Sequence, residues 1–241
     1  MQSNANRKLN MQKLLAPAAL VILYVFFSIF GKNFFGYEGF KQILQSSYYI
    51  GFIAFGVTFV IITGGIDLSI GTVMMCSAII GGTAFTNWGW PVPLALVLVL
   101  VSGLFFGLCN GLMIAKAKLP PFIATLGTMM VSQGFGSIIS NVRTMHYSPT
   151  YVGDWFRPVF YISGNFPVGA IWLLGAFVIA AFVLNKTRLG RYNFAIGSNE
   201  EAARLSGVKT DRWKIAIYAI CGLFAGFAGI FFGAAYTTIT P

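Results

Sequence analysis

This chain has few residues of the types that carry out enzyme chemistry, and its charges are concentrated in one segment. Three of its six acids and five of its 16 cations lie in Leu189–Lys214, and Lys186 and Arg188 lie just before it. The sequence contains no G-x-x-x-x-G-K-[ST] phosphate loop, no H-E-x-x-H zinc motif and no G-x-S-x-G nucleophile motif. We therefore expect no catalytic residue in this chain and no ATP hydrolysis by it.

Metal and thiol chemistry also have little support in the sequence. His146 is the only histidine, so it has no second imidazole with which to form a metal site. Cys76, Cys109 and Cys221 lie in apolar runs without C-x-x-C spacing, which predicts small core residues rather than ligands or disulfides. We expect no metal and no cofactor to be bound by this chain.

Asp67 is the sole acid within the long apolar segments. It follows two glycines in the sequence TGGIDLSIG at 63–71, and adjacent glycines break a helix or let the chain reverse. Because a carboxylate in a membrane segment is costly unless it is paired, Asp67 is predicted to cap the next helix by accepting from its free N–H groups. Substrate contact or proton transfer is the alternative. The other candidates for polar packing or for lining a pathway are Ser69, Asn110, Thr125, Thr128 and Gln133.

The elements that must position these residues are membrane helices. The chain is 57% hydrophobic and only 9% charged, whereas soluble domains are about 25% charged, and its mean hydropathy is +0.77. The fold class is therefore predicted to be all-α, a polytopic membrane bundle with about seven spanning helices. The segment at 121–140 is predicted to be an interior helix whose polar groups turn from lipid. The apolar segments lie at 14–30, 43–63, 70–86, 92–115, 121–140, 167–184 and 215–235.

Glycine repeats predict where two of these helices approach each other closely. Gly103, Gly107 and Gly111 recur every four residues, and Gly222 and Gly226 repeat this spacing in the last segment. A face without side chains lets a neighbouring backbone come close. The pattern is typical of tight packing, and helices that slide in a transporter use the same pattern.

The distribution of cations predicts the orientation in the membrane. If the N-terminus is cytoplasmic, twelve cations lie on the inside and four on the outside, as the positive-inside rule requires. The net charge of +10 then reflects anionic headgroups at the inner face, so no nucleic-acid partner is expected. The inner cations are Arg7, Lys8, Lys13, Lys116, Lys118, Lys186, Arg188, Arg191, Arg204, Lys209, Arg212 and Lys214, and the outer ones are Lys32, Lys41, Arg143 and Arg157.

This orientation makes the segment at 185–214 cytoplasmic, and within it a short helix is predicted. Ser198 is the predicted N-cap of a capping box completed by Glu201, and Gly207 is the predicted left-handed stop. Thr210 or Asp211 is predicted to cap the helix that follows. An isolated helix this short is marginal in water, which suggests docking on a partner. A surface helix on a connecting loop is the other interpretation.

On the opposite side, the loop at about 141–166 is rich in aromatic residues, among them Tyr147, Tyr151 and Trp155. Such a loop could bind an external soluble partner, or it could simply cap the bundle with interfacial aromatics. The sequence does not separate these two interpretations.

Four passages together resemble the permease subunits of bacterial ribose/galactoside-type ABC sugar importers. They are GVTFVIITGGIDLSIGTVM at 56–74, NGLMIAKAKLPPFIATLGTMM at 110–130, NKTRLGRYNFAIG at 185–197 and NFAIGSNEEAARLSGVKTDRWKIAIYAICGLFAGFAGI at 193–230. The resemblance implies that two permease subunits, identical or related, form a pore for a monosaccharide in the inner membrane. It also implies a periplasmic binding protein that delivers the sugar, and a cytoplasmic ATPase that carries the ATP and Mg²⁺.

By this resemblance the short helix is a coupling helix on which the ATPase bears. Its residues are Ser198, Asn199, Glu200, Glu201, Ala202, Ala203, Arg204, Leu205, Ser206 and Gly207. Because members of the family continue with further spanning helices, residues 1–241 are interpreted as a single permease domain that is incomplete at its C-terminus. An ion-coupled secondary transporter and a non-transporting membrane scaffold or fragment are the alternative functions.

Overall fold

The computed structural model describes residues 2–31 and 34–241, and the side chains of 14, 15, 17–31 and 34–241. Lys32 of the charge count lies outside the described residues, as do the side chains of Arg7, Lys8 and Lys13. The chain divides into two compact units, Met1–Leu44 and Gln45–Pro241. That residues 1–241 form one permease domain stays a prediction.

The fold is all-α apart from two short strands within the described residues. The elements are α1 (Gln2–Phe30), α2 (Tyr37–Ile62), α3 (Ile70–Thr86), α4 (Val92–Ala115), α5 (Pro121–Ile139), β1 (Met145–His146), α6 (Pro149–Val152), α7 (Phe156–Phe160), α8 (Gly169–Lys186), α9 (Arg188–Ser198), α10 (Glu200–Leu205), α11 (Thr210–Tyr236) and β2 (Thr238–Ile239).

Helix lengths and composition confirm the predicted membrane bundle. Five described helices, α2, α4, α5, α8 and α11, are long and apolar enough to cross a membrane. Two shorter apolar helices, Pro17–Phe30 and α3, correspond to the remaining predicted segments. The polytopic bundle is therefore confirmed, with five described helices of spanning length and two shorter apolar helices in place of the seven predicted spans.

In the unit Gln45–Pro241, α3 and α11 form the centre and α4 packs along α11. A Cβ atom on Gly103 or Gly107 would collide with the backbone of Gly222, and one on Gly222 would collide with the backbone of Gly103. A Cβ on Gly226 would lie 3.0 Å from the Leu100 Cα. The two helices thus meet backbone to backbone at the repeated glycines, which is the geometry that such spacing permits.

Helix α5 lies at the edge of the described bundle, not in its interior as predicted. Only one face is buried, and that face carries Thr125, Thr128 and Ser132. The prediction that polar groups turn inward is correct for these three residues, but Gln133 is exposed. The opposite face exposes Phe122, Val131 and other apolar side chains, as expected for a helix against lipid.

The loop between α5 and α8 is packed onto the bundle. Its strand β1 pairs with β2 in antiparallel register, with Met145 opposite Ile239. The Tyr147 side chain is fully buried, and its hydroxyl donates to the Ala78 carbonyl oxygen at 2.6 Å. Phe156 is fully buried in the same cluster. The buried aromatics of this loop therefore cap α3 and α11, which favours the second of the two interpretations of the loop.

The segment at 185–214 contains a helix, α9, that the sequence did not predict. Its Gly190 and Gly197 lie so close to the Leu184 and Ile62 backbones that a Cβ atom would collide with them. Glycine lowers helix propensity by about 1 kcal/mol relative to alanine. Gly190 and Gly197 therefore allow α9 to pack closely against its neighbours. The same two glycines hide its helical pattern in the sequence.

Candidate functional site

A break in the chain between α2 and α3 lies beside the centre of the bundle. Gly64 has φ of +75°, a left-handed conformation that glycine adopts without strain. A Cβ on Gly65 would lie 2.6 Å from the Tyr218 hydroxyl. The two glycines therefore reverse the chain at the end of α2 and let it approach α11 closely. The result is that Asp67 is brought into the bundle, where it is only 7% exposed.

Four of the six polar candidates form one chain of hydrogen bonds. The Thr128 hydroxyl donates to Asn110 Oδ1 at 2.5 Å, and Asn110 Nδ2 donates to Ser69 Oγ at 2.8 Å. Ser69 Oγ in turn donates to Asp67 Oδ1 at 2.6 Å. All four residues are buried. This polar chain runs from α5 through α4 to the break before α3, and every donor in it points toward the carboxylate.

Asp67 does not cap α3 in the predicted way. The N-cap residue is Ser69, and its side chain makes no cap hydrogen bond to the first turn. Asp67 Oδ1 instead accepts from the Ser69 backbone N–H at 2.9 Å, within a local turn that precedes the helix. Its Oδ2 accepts from the Cys221 thiol at 3.5 Å. The carboxylate is therefore satisfied by Ser69 and Cys221, and among the described residues it forms no ion pair.

The remaining two polar candidates, Thr125 and Gln133, lie outside this polar chain. Thr125 is fully buried, and its hydroxyl donates to the Pro121 carbonyl of its own helix at 2.8 Å. Gln133 lines a cavity of about 410 Å³ together with Thr72 and Ser132. The Ser132 hydroxyl donates to Thr72 Oγ1 at 2.9 Å across the joint between α5 and α3. These groups provide hydroxyl and amide functions at the open side of the bundle.

Helix α10 begins one residue later than predicted. Ser198 is the last residue of α9, and the N-cap of α10 is Asn199, whose Oδ1 accepts from the Ala202 N–H at 2.9 Å. The predicted capping box between Ser198 and Glu201 is therefore wrong. Both Ser and Asn are strong N-cap residues, so their adjacency left the sequence ambiguous. Asn199 has the extended backbone that an N-cap needs, with φ of −161° and ψ of 106°.

The end of α10 agrees with the prediction, and the start of α11 does not. Gly207 has φ of +85°, and its N–H donates to the Arg204 carbonyl at 3.0 Å. Thr210 and Asp211 are the first two residues of α11, and the preceding Lys209 makes no side-chain cap. Leu205, at the tip of α10, is 89% exposed. This is the highest exposure among the large apolar side chains of the described residues.

Three ion pairs fix the start of α11 to its neighbours. Lys214 Nζ lies 2.5 Å from Glu200 Oε2 of α10. On another side, Asp211 lies 2.8 Å from Lys118 Nζ and 3.7 Å from Lys116 Nζ in the turn between α4 and α5. The two ion pairs of Asp211 are largely exposed and contribute little stability. The contact of Glu200 with the less exposed Lys214 ties α10 directly to the helix that crosses the centre.

From α10, contacts reach the break between α2 and α3 by two routes. Along α11, Tyr218 lies one turn beyond Lys214, and its hydroxyl donates to the Ile66 carbonyl oxygen at 3.3 Å. Through α9, the buried Asn193 Nδ2 donates to the Phe59 carbonyl oxygen of α2 at 3.0 Å. The two routes therefore end on both sides of the Gly64–Gly65 break, at Phe59 before it and at Ile66 after it.

The sequence did not single out Tyr218, Cys221 or Asn193 as members of this site. Cys221 was interpreted as a core residue only, and it is buried as that interpretation requires. A signal was nevertheless present, since Tyr218 and Cys221 are three residues apart on α11 and share a helix face. The position of Asn193 depends on α9, which was not predicted.

Comparison with known proteins places the chain among transport permeases. The family BPD_transp_2, described as branched-chain amino acid transport system / permease component, matches residues 39–241. The chain is 40% identical over 220 residues to the ribose import permease protein of Bacillus subtilis, covering 91% of this chain and 67% of the relative. No solved structure matches the chain.

Two other relatives have names that refer to different sugars. The fructose import permease protein of Rhizobium meliloti is 34% identical over 227 residues, which cover 89% of this chain and 62% of the relative. The galactose/methyl galactoside import permease protein of Haemophilus influenzae is 36% identical over 217 residues, covering 82% and 63%. The chain thus spans about two thirds of the length of these relatives. The predicted resemblance to sugar-importer permeases is confirmed.

Proposed function

Because this chain belongs to the BPD_transp_2 family of permease components, we propose that it is the transmembrane subunit of an ATP-driven sugar importer. The substrate class is a monosaccharide, as the names of the ribose, fructose and galactose import relatives suggest. It lies in the bacterial inner membrane with its N-terminus in the cytoplasm, in keeping with the excess of cations on that side.

The partners follow from this role. A separate cytoplasmic ATPase binds ATP and Mg²⁺ and bears on α10, a periplasmic protein delivers the sugar, and a second permease subunit completes the pore. The observation that carries the proposal is the structure of α10 itself. The helix is held by the Asn199 cap and stopped by Gly207, and it presents the 89% exposed Leu205. Nothing within the described residues covers that leucine.

The contacts of α10 suggest how force would reach the pathway. When the ATPase moves α10, the ion pair between Glu200 and Lys214 carries the motion into α11. Tyr218, on the next turn, passes it to the break at Ile66. The break adjoins Asp67 and the polar chain. Because the polar chain joins α5 and α4 to the start of α3, a movement of the break would change the relative positions of these three helices. A cavity of about 170 Å³ between α10, α11 and the break leaves room for such a shift.

A neutral sugar needs hydroxyl and amide partners rather than a fixed charge. The cavity that contains Thr72, Ser132 and Gln133 offers these groups on an open side of the bundle. The Asp67 carboxylate lies deeper and is occupied by its own donors. We therefore assign the polar chain to holding the helices together, and the cavity residues to the lining of the pathway.

A flux assay separates this function from its two rivals. Vesicles carrying the protein with its ATPase and binding protein should accumulate sugar only when ATP is supplied and without any ion gradient. Uptake driven by an ion gradient alone would instead indicate a secondary transporter. Absence of uptake in either condition, with all three proteins shown to be assembled, would indicate a non-transporting scaffold.

The C-terminal stop of α10 offers a sharper test of coupling. Proline cannot adopt the positive φ of Gly207 and lacks the N–H that bonds to Arg204, whereas asparagine tolerates this conformation. Gly207→Pro should therefore abolish ATP-driven uptake, and Gly207→Asn should retain most of it. Equal uptake by the two variants would show that the end of α10 has no part in coupling.

A further inference from the structure

A basic cavity of about 450 Å³ lies where α8 turns into α9 and α11 begins. Three cations line it, namely Arg188, Lys209 and Arg212. Two aromatic rings complete the wall, those of Tyr192 and Trp213, with centroids 5.0 Å apart. No acidic residue lines this cavity. The arrangement is therefore a concentration of three positive charges around an aromatic wall.

These three cations differ from the other charges at the start of α11. Asp211 and Lys214, on other faces of the helix, are paired with Lys118 and Glu200. Within residues 2–31 and 34–241, the cations of the basic cavity take part in no ion pair. Uncompensated cations held together repel one another. A bound anion would remove this repulsion and accept hydrogen bonds from the guanidinium groups.

An apolar groove lies on the same face of α11 as the basic cavity. The groove, about 550 Å³ in volume, runs between α8 and α11 and is lined by apolar and aromatic side chains, among them Ala176 and Val183. On α11, the spacing of Trp213, Ile220 and Phe224 places the groove and the cavity on one helix face. Ile220 lies seven positions after Trp213 on the helix, a rise of about 10 Å.

We propose that the groove and the basic cavity together bind one anionic phospholipid. The phosphate would contact Arg188, Lys209 and Arg212, and an acyl chain would lie along α8 and α11. Tyr192 and Trp213 would lie at the level of the glycerol backbone, where amphipathic rings are favoured. Basic pockets between membrane helices suit such headgroups. The inference goes beyond the proposed function and does not depend on it.

The observations favour a lipid over two other anionic occupants. A soluble phosphate would bind the three cations but would make no contact with the groove. An acidic surface of the ATPase would approach from the water and would likewise leave the groove empty. Only a molecule with an anionic head and an apolar chain would use both the basic cavity and the groove, which lie on one face of α11.

Native mass spectrometry of the purified full chain, titrated with defined lipids, tests the proposal. Phosphatidylglycerol should bind, phosphatidylcholine should bind far more weakly, and inorganic phosphate should not compete at equal concentration. The double variant Arg188→Gln/Arg212→Gln should weaken phosphatidylglycerol binding about thirtyfold, or about 2 kcal/mol at about 1 kcal/mol per cation. The matched control is Lys186→Gln/Arg191→Gln, which removes two nearby exposed cations outside the basic cavity.

A third variant examines the groove. Ala176→Trp fills the space for an acyl chain without touching a cation, and it should also weaken phosphatidylglycerol binding. An unchanged melting temperature in the same detergent establishes that each variant is folded. Equal weakening in the two double variants, or full binding by Ala176→Trp, would overturn the proposal. If the variant Arg188→Gln/Arg212→Gln lost association with the ATPase but still bound phosphatidylglycerol, the proposal would be overturned in favour of an acidic protein partner.

Discussion

Asn199 stabilises the first turn of α10 through one hydrogen bond, which its Oδ1 accepts from the Ala202 N–H. Glu201 makes no such bond and is only 3.9 Å from Arg204 at the surface. Asn199→Ala should therefore cost about 1 kcal/mol of local helix stability, and Glu201→Ala should cost less than about 0.5 kcal/mol. Hydrogen exchange of the amides in α10 measures both. Faster exchange in Glu201→Ala than in Asn199→Ala would instead support the capping box predicted from the sequence.

Asn110 is the residue on which the polar chain depends, because it both donates and accepts within it. Asn110→Leu would leave the buried Thr128 hydroxyl without its acceptor. An unsatisfied buried polar group costs about 1–3 kcal/mol, so the melting temperature should fall. Gln133→Leu is the matched control, since it exchanges an exposed amide on α5 and should leave the melting temperature nearly unchanged. Similar melting of both variants would argue against a structural role for the polar chain.

The sequence predicted which polar residues matter better than it predicted their contacts. Asp67 was identified because a carboxylate in an apolar segment needs partners, and that need follows from composition alone. Its partner Cys221 could not be predicted, since it lies 154 residues away along the chain and its position depends on how α11 packs. The prediction of Ser198 as the N-cap was wrong for a local reason. Which of two adjacent cap-forming residues becomes the N-cap depends on their backbone angles, and the sequence does not show these.

Among the helices, the close approach of α4 and α11 is the most demanding contact. Gly107→Ala places a methyl group against the Gly222 and Tyr218 backbones, and overpacking of this kind costs about 1–3 kcal/mol. Gly127→Ala, on α5 with open space around it, should be neutral or stabilising by up to about 1 kcal/mol. Thermal melting in detergent distinguishes them. An equal effect of the two substitutions would mean that the glycine face is not under packing constraint.

Helix positions were predictable because the lipid core demands long apolar segments, and such segments are visible in composition. The predicted 70–86 and 92–115 coincide with α3 and α4. Helix α9 was missed because it lies outside the apolar runs and carries glycines. Its helical structure follows from its contacts, such as Asn193 with Phe59. Those contacts exist only once α2 and α8 are in place.

At the scale of the whole molecule, the described chain separates a charged end from an aromatic end. The charged end holds α9, α10 and the start of α11, together with the turn at Lys116 and Lys118. The other end is capped by the loop around Tyr147. The proposed function would use this asymmetry, since an ATPase and a binding protein would act on opposite sides of the membrane. In that proposal, coupling between them runs along the central helix α11.

The most direct test of this account is ATP hydrolysis stimulated by the sugar-loaded binding protein in vesicles that contain the assembled transporter. Leu205→Asp puts a charge at the exposed tip of α10, and loss of a central apolar contact should reduce stimulation at least about tenfold. Val142→Asp makes the same change at a residue 76% exposed at the other end of the bundle, and it should leave stimulation unchanged. Wild-type stimulation in Leu205→Asp would contradict the assignment of α10 as the coupling helix.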